Sequence, residues 1–129
     1  MTHETAVLKA REIASSVLTP TAGQNDKAGR FSTEAIEALG SAGLLGLRQP
    51  SDLGDQGLGP RTFAEVVEKL AEADASFAMV YLIHTLGATM IAEARESATE
   101  VVKPILREIT AGCDLFTLAF SEAGSRSHF

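Results

Sequence analysis

The chain has 129 residues, and 11 lysine and arginine residues against 17 aspartate and glutamate residues give a net charge of −6. Apolar residues make up 45% of the sequence and charged residues 22%, a balance typical of globular proteins that argues against intrinsic disorder. A chain of this length normally forms one domain. Because nucleic acids and anionic lipids bind through clustered lysine and arginine, the acidic balance counts against both as partners.

The cysteine content and the charge pattern predict a cytoplasmic protein. The single cysteine, Cys113, can neither form an internal disulfide nor supply several thiolates to zinc. The first residues lack the basic and apolar regions of a secretory signal. The uncharged stretch between Asp74 and Glu93 approaches the length of a membrane span, but it carries His84 and hydroxyl side chains and has acidic flanks. We therefore expect a buried helix there and no membrane association.

Two helices are predicted in the first third of the chain. Apolar periodicity indicates a helix over residues 5–18, and Thr19-Pro20 is expected to end it because proline lacks the backbone N–H. Ser32 is the predicted N-cap of the next helix, which is expected to end at Gly40 or Gly43, since glycine adopts the left-handed conformation readily. The chain then returns to the core through Leu44, Leu45 and Leu47.

The middle of the chain predicts an ordered loop followed by three helical segments. Residues 49–60 are rich in turn formers, and Pro60 suits the first position of an amphipathic helix. The apolar segment after Asp74 is expected to be the central helix. Ser97 and Glu100 fit a capping box, and Pro104 is expected to split the following helix or to begin a new one that ends near Gly112.

The last segment changes its pattern. Residues 113–121 are rich in apolar and β-compatible side chains, and the residues after them are turn formers. A lone strand leaves its backbone groups unpaired, so we expect it to belong to a sheet outside this sequence. The predicted fold is therefore all-α, a bundle of five or six helices over residues 1–112, followed by one terminal β-strand in residues 113–129 that begins a truncated β-domain.

Few side chains point to chemistry on their own. His84 lies in an apolar helix, where a hydrogen-bonded core residue is favoured over a catalytic base. Met79 and Met90 are expected to fill the core. Carboxylates at loops and helix ends favour solvated or capping roles over a metal site; these are Asp52, Asp55, Glu72 and Asp74.

The order of several sequence blocks is more informative than any single residue. Each block is weakly specific, but together they are distributed from residue 26 to residue 127: Asp26-Lys-Ala-Gly-Arg-Phe31, Glu34–Leu47, Pro50–Gly57, Phe63–Phe77 and Leu118–Ser127. In this order and spacing they resemble the N-terminal helical domain of the acyl-CoA dehydrogenase family. The last block is similar to the first strand of that family's middle domain, with the pattern Thr-Glu-Pro-x-x-Gly-Ser-Asp.

The resemblance implies a set of site residues in the intact protein. The cofactor FAD is expected to contact Leu118, Phe120, Ser121 and Ser127, because hydrogen bonds to a flavin stabilise the charge that develops on reduction. Ser127 is also expected at the acyl-CoA substrate, and one wall of the acyl pocket is expected to consist of Leu82, Ile83 and Leu86. Three positions depart from the family pattern: Ala123 replaces proline, Arg126 replaces glycine and His128 replaces aspartate.

The implied activity is α,β-dehydrogenation of an acyl-CoA thioester by an FAD-dependent oxidoreductase of fatty acid metabolism. The resemblance places the catalytic base in a C-terminal helical domain, so no catalytic residue is expected in this sequence, which should be inactive alone. The intact protein is expected to be a homo-oligomer that also contains the middle and C-terminal domains. Two alternatives stay open: a flavin-dependent monooxygenase of the same superfamily, and a non-catalytic helical module that binds a partner protein.

Overall fold

A computed structural model of the chain describes residues 1–50, 58–94, 99–112 and 114–118. Six α-helices occupy most of these ranges, and a π-helical turn over Ala14–Leu18 joins the first two. The predicted all-α fold is confirmed, and the described ranges contain no strand. The helices are α1 (His3–Ile13), α2 (Thr19–Ala28), α3 (Thr33–Ala42), α4 (Pro60–Ala71), α5 (Ala75–Glu93) and α6 (Thr99–Thr110).

The prediction that Thr19-Pro20 ends the first helix is wrong, because a wider turn accommodates the proline. In the π-helical turn the N–H of Thr19 donates to the carbonyl of Ala14, five residues back, and its Oγ1 donates to the same oxygen at 2.9 Å. The wider turn relieves the clash between a proline ring and the preceding turn. The chain stays helical through α2. That helix ends at Gly29, whose φ is +58°.

The other helix boundaries in the first two thirds of the chain follow the predicted caps. Ser32 Oγ accepts the N–H three residues further on at 3.3 Å, and α3 ends at Gly43 with φ +73°. Pro60 is the first residue of α4, and Asp74 Oδ1 accepts the N–H of Phe77 at 2.9 Å to cap α5. Residues 51–57 of the predicted ordered loop lie outside the described residues.

The prediction that Pro104 splits the last helix is also wrong, since α6 runs unbroken past it. Pro104 is the sixth of the twelve residues of α6, and its missing N–H removes one hydrogen bond, to the carbonyl four residues back. Apolar packing compensates for that loss: Val102, Leu106 and Ile109 are buried against Ala88 and Ala92 of α5. Ser97, the first residue of the predicted capping box, lies outside the described residues.

The core consists of two clusters, which contact the first and the second half of α5. The smaller cluster lies between α5 and α6. The larger one joins α1, the π turn, α3, α4 and the start of α5, and it includes the chain after α3, as the sequence predicts. Its buried members are Ala6, Ala10, Ile13, Leu18, Ala35, Leu39, Leu44, Leu45, Leu47, Val66, Leu70, Phe77, Ala78 and Tyr81.

Two glycines bring the end of α6 against α3. A Cβ atom added to Gly112 would lie 2.6 Å from the Cα of Gly40, and one added to Gly40 would lie 3.1 Å from the carbonyl oxygen of Gly112. Gly112 also has φ +77°. The backbones therefore approach as closely as they can, and this contact fixes where the chain leaves α6 towards residues 114–118.

Among the described residues, α5 is the one helix long and apolar enough to cross a membrane by length and composition, and 44% of its most apolar window is buried inside the domain. Core helices of soluble proteins meet the same criterion. Because α5 packs against α4 and α6 and buries His84 and Thr85, it does not indicate a membrane protein.

Candidate functional site: the exposed face of α5 and residues 114–118

Helix α5 has two different faces, and both are apolar. One is buried in the domain through Phe77, Ala78, Tyr81, His84, Thr85, Gly87, Ala88 and Ala92. On the opposite face, residues three or four positions apart align along one side of the helix. We call this face the apolar stripe; it consists of Met79, Leu82, Ile83, Leu86 and Met90.

The apolar stripe is open to solvent in the described part of the chain. Met79, Leu86 and Met90 are 57%, 42% and 55% exposed, and Leu82 and Ile83 are half-buried. The prediction that the two methionines fill the core is therefore wrong. Apolar residues all around a helix indicate burial on all sides, but α4 and α6 cover only one side of α5. An aligned apolar surface of this kind is typical of a binding or docking surface.

The chain after α6 crosses α5 beside the stripe. A Cβ atom added to Gly87 would lie 3.3 Å from the Cβ of Phe116 and 3.6 Å from Cδ2 of Leu118. The structure thus brings Leu118, a predicted FAD contact, to the helix that carries Leu82, Ile83 and Leu86. Residues 114–118 form no strand, and the terminal strand expected within residues 113–129 stays a prediction. Phe120, Ser121 and Ser127 lie outside the described residues.

His84 connects three parts of the chain and is fully buried. Its Nε2 lies 3.0 Å from the carbonyl oxygen of Leu45, and its Nδ1 accepts the backbone N–H of Phe116 at 3.0 Å. Nε2 therefore carries the proton and the ring is neutral. Burial lowers the pKa of His84 below its usual 6.5, although the hydrogen bond to Leu45 opposes this. The interpretation of His84 as a hydrogen-bonded core residue is confirmed.

A polar cluster that the sequence analysis did not predict joins α1 to α4. His3 Nδ1 lies 2.9 Å from Thr62 Oγ1, and His3 Nε2 lies 3.2 Å from a carboxylate oxygen of Glu65. A hydrogen bond from Arg61 at 3.0 Å lowers the pKa of the Glu65 carboxyl below its usual 4.5. Only 5% of Thr62 is exposed, so its hydroxyl is not accessible as a nucleophile. The cluster holds α1 against α4. Because its members are about 60 positions apart in the sequence, only the folded structure shows that they meet.

The carboxylates considered from the sequence have structural roles where they are described. Asp74 caps α5, and Glu72 accepts a hydrogen bond from Lys69 at 2.6 Å. The hydrogen bond to Glu72 is the largest cause that raises the pKa of Lys69 above its usual 10.5, and the hydrogen bond to Glu68 is the second. Within the described ranges no three His, Cys, Asp or Glu side chains converge as metal ligands. Asp52 and Asp55 lie outside them.

An open cleft of about 490 Å³ lies where the end of α2 faces the start of α5. Arg30, Asp26 and Asp74 contribute charges of both signs to its lining. None of the residues predicted for flavin or acyl-CoA lies there, and the mixed charge favours no one class of ligand. The apolar stripe with residues 114–118 is therefore the better candidate site.

Comparison with known proteins identifies the family. Residues 2–112 match the model of the acyl-CoA dehydrogenase N-terminal domain. The chain is 31% identical over 116 residues to the probable acyl-CoA dehydrogenase FadE25 of Mycobacterium tuberculosis, which covers 89% of this chain and 30% of the relative. It is 28% identical over 129 residues to the human mitochondrial short-chain specific acyl-CoA dehydrogenase, which covers 98% of this chain and 30% of that protein.

A third relative is named for a different activity. The chain is 34% identical over 80 residues to the 3-sulfinopropanoyl-CoA desulfinase of Variovorax paradoxus, which covers 62% of this chain and 20% of the desulfinase. The chain thus spans less than a third of the length of these relatives. The family match extends over all six helices. The chain therefore belongs to the acyl-CoA dehydrogenase family, as an N-terminal helical domain of that family.

Proposed function

We propose that this domain forms one wall of the substrate and flavin site of an FAD-dependent acyl-CoA dehydrogenase-like oxidoreductase. The observation that carries the proposal is the apolar stripe of α5, which is exposed directly beside the crossing of residues 114–118. An acyl chain is an apolar ligand, and binding it against Leu82, Ile83 and Leu86 would remove apolar area from water on both sides. These residues would bind and orient the chain of an acyl-CoA thioester.

The described residues fit one edge of a flavin site. Residues 114–118 run against α5 and reach it at Gly87, beside Leu86. Leu118, with Phe120, Ser121 and Ser127 further along the chain, would hold FAD, and Ser127 would also reach the acyl-CoA. When bound, FAD would supply the acceptor for the hydride that leaves the β carbon of the substrate. The role of this chain would be to position the edge of the flavin and to exclude water from that edge.

Catalysis would need residues outside this sequence. In the family that the chain resembles, a glutamate in a C-terminal helical domain removes the α proton, so this chain alone is expected to be inactive. The middle and C-terminal domains would cover the apolar stripe, and the intact protein would be a homo-oligomer in the cytoplasm. The changes at Ala123, Arg126 and His128 bear on phosphate binding, where Arg126 offers a charged donor to a phosphate oxygen.

One further candidate function has a specific observation in its favour. The identity of 34% with a 3-sulfinopropanoyl-CoA desulfinase suggests that the intact protein could act on a different bond of an acyl-CoA thioester. The names of all three relatives refer to acyl-CoA chemistry, which favours an acyl-CoA substrate over the substrates of a flavin monooxygenase. Membership of an enzyme family likewise favours a catalytic assembly over a non-catalytic interaction module.

A flavin-binding experiment tests whether this chain alone holds FAD or needs the other domains of the protein. The purified chain would be mixed with FAD and desalted, and flavin absorbance and fluorescence would be measured. We expect no stoichiometric retention, because one edge of a site cannot compensate for the entropy lost on binding. Tight retention by the chain alone would contradict the proposal that the middle and C-terminal domains complete the site.

The acyl pocket is tested by Leu82→Trp in the protein that carries all three domains. A larger side chain on the stripe should shorten the preferred acyl chain and lower kcat/KM for longer substrates by about tenfold, the order of one to three lost methylene contacts. Val101→Trp is the control, since Val101 lies on α6 and is 65% exposed. An unchanged chain-length profile for Leu82→Trp would remove α5 from the acyl pocket.

A further inference from the structure

The ring of His84 links α5, the chain after α3 and residues 114–118 by its two nitrogens. Nε2 is hydrogen-bonded to the carbonyl of Leu45, and Nδ1 accepts the N–H of Phe116, both at 3.0 Å. The Phe116 ring also lies against the imidazole, with centroids 6.5 Å apart and planes tilted by 50°. Such a ring has one donor and one acceptor, and here each has a backbone partner.

Together with this link, the neighbouring Gly87 fixes the register of residues 114–118 against α5. Without a side chain at position 87, the Cβ of Phe116 and the tip of Leu118 can approach the helix closely. The N–H of Phe116 donates a hydrogen bond to His84, which is a polar contact between residues 114–118 and α5. A slip of one residue would move a different N–H to Nδ1 and would turn Phe116 and Leu118 away from Gly87.

We propose that His84 is a positioning residue, which sets the register of residues 114–118 on α5 and thereby the place of Leu118, a proposed flavin contact. The role belongs to one tautomer of the neutral ring, because a protonated Nδ1 cannot accept the N–H of Phe116. This inference rests on the proposed function for its consequence at the flavin, but its geometric part stands on this chain alone.

The test separates the two nitrogens by substitution. In His84→Asn the side-chain oxygen takes the position of Nδ1, whereas in His84→Gln the amide nitrogen takes the position of Nε2; His84→Leu replaces neither. Hydrogen exchange of the Phe116 amide would be measured by NMR. We expect protection in the native chain and in His84→Asn, and exchange at least about tenfold faster in His84→Gln and His84→Leu, since a partly buried N–H loses its acceptor.

A merely structural role would give a different pattern. If His84 only filled space, His84→Leu would protect Phe116 best, and that result would overturn the proposal. A through-hydrogen-bond coupling between the Phe116 nitrogen and His84 Nδ1 in the native chain needs no variant, and its absence would also overturn it. If the intact protein proved to bind no flavin, the proposed function would fail. The measurements on the hydrogen bond between Phe116 and His84 would still stand.

Discussion

At the residue scale, Gly112 carries two independent constraints. Its φ of +77° is a conformation that side chains disfavour, and the space for a Cβ is filled by the backbone of Gly40 at 2.6 Å. Backbone cannot move aside as the tip of a side chain can. Position 112 is therefore restricted to glycine, and a Cβ at position 40 would need Gly112 to shift. Neither the helix pattern nor composition reveals this.

Gly112→Ala is expected to lower the free energy of unfolding by about 2–3 kcal/mol, through left-handed backbone strain and the clash with Gly40. Urea unfolding monitored by circular dichroism would measure it. Gly23→Ala is the matched control, because Gly23 lies inside α2 with nothing within 4 Å of an added Cβ. That change should raise stability by about 0.5–1 kcal/mol from helix propensity. Equal effects of the two changes would contradict the close contact.

The titration of His84 predicts how stability depends on pH. Because burial lowers the pKa of His84 in the folded chain, the unfolded chain binds a proton first as the pH falls. The contribution of the neutral ring is therefore complete above about pH 6.5 and is lost as the pH falls from there towards the pKa of the folded state. Its slope is at most about 1.4 kcal/mol per pH unit.

Unfolding free energies of the native chain and of His84→Asn between pH 5 and 8 would test this. The native curve should fall more steeply below about pH 6.5, since the asparagine cannot titrate there. The comparison removes the contributions of the other histidines and the carboxylates, which both chains share. Parallel curves would show that His84 does not control the acid sensitivity.

At the element scale, helix starts were more predictable than helix interruptions. Ser32, Pro60 and Asp74 are predictable helix starts because each depends on a few consecutive residues. The prediction of helix boundaries at Pro20 and Pro104 is wrong because the effect of a proline depends on its surroundings. A π turn accommodates the first, and packing of α6 against α5 holds the helix across the second. Proline disfavours a helix, but it ends one only where nothing compensates.

The cap of α5 gives a prediction at this scale. Asp74→Ala removes the acceptor for the N–H of Phe77 and should lower the free energy of unfolding by about 1 kcal/mol. Asp74→Ser, which keeps an acceptor, should recover most of that loss, and thermal unfolding would measure both. If the serine variant were as unstable as the alanine variant, the capping bond would not be the cause.

At the scale of the whole molecule, the sequence predicted the domain better than its surface. Helical periodicity and the order of family blocks led to the all-α fold and to the family. The apolar stripe was half-recognised: Leu82, Ile83 and Leu86 were assigned to a pocket, whereas Met79 and Met90 were assigned to the core. An apolar residue that binds a ligand and one that fills a core look alike in sequence, and only the arrangement of α4 and α6 around α5 separates them. The roles of Leu118 and the stripe at flavin and substrate stay predictions.

Exposure of the stripe predicts how this chain behaves alone. A dye such as 1-anilinonaphthalene-8-sulfonate should bind it, and the double change Leu86→Gln and Met90→Gln should lower dye fluorescence about twofold or more. Unfolding free energy should change by less than about 0.5 kcal/mol, because Leu86 and Met90 are 42% and 55% exposed and neither belongs to the core. Leu8→Gln is the control: Leu8 is 54% exposed but lies on α1, so its loss should leave dye binding unchanged. Equal loss of fluorescence in both variants would mean that the dye reports general apolar exposure and that the stripe is not a distinct binding surface.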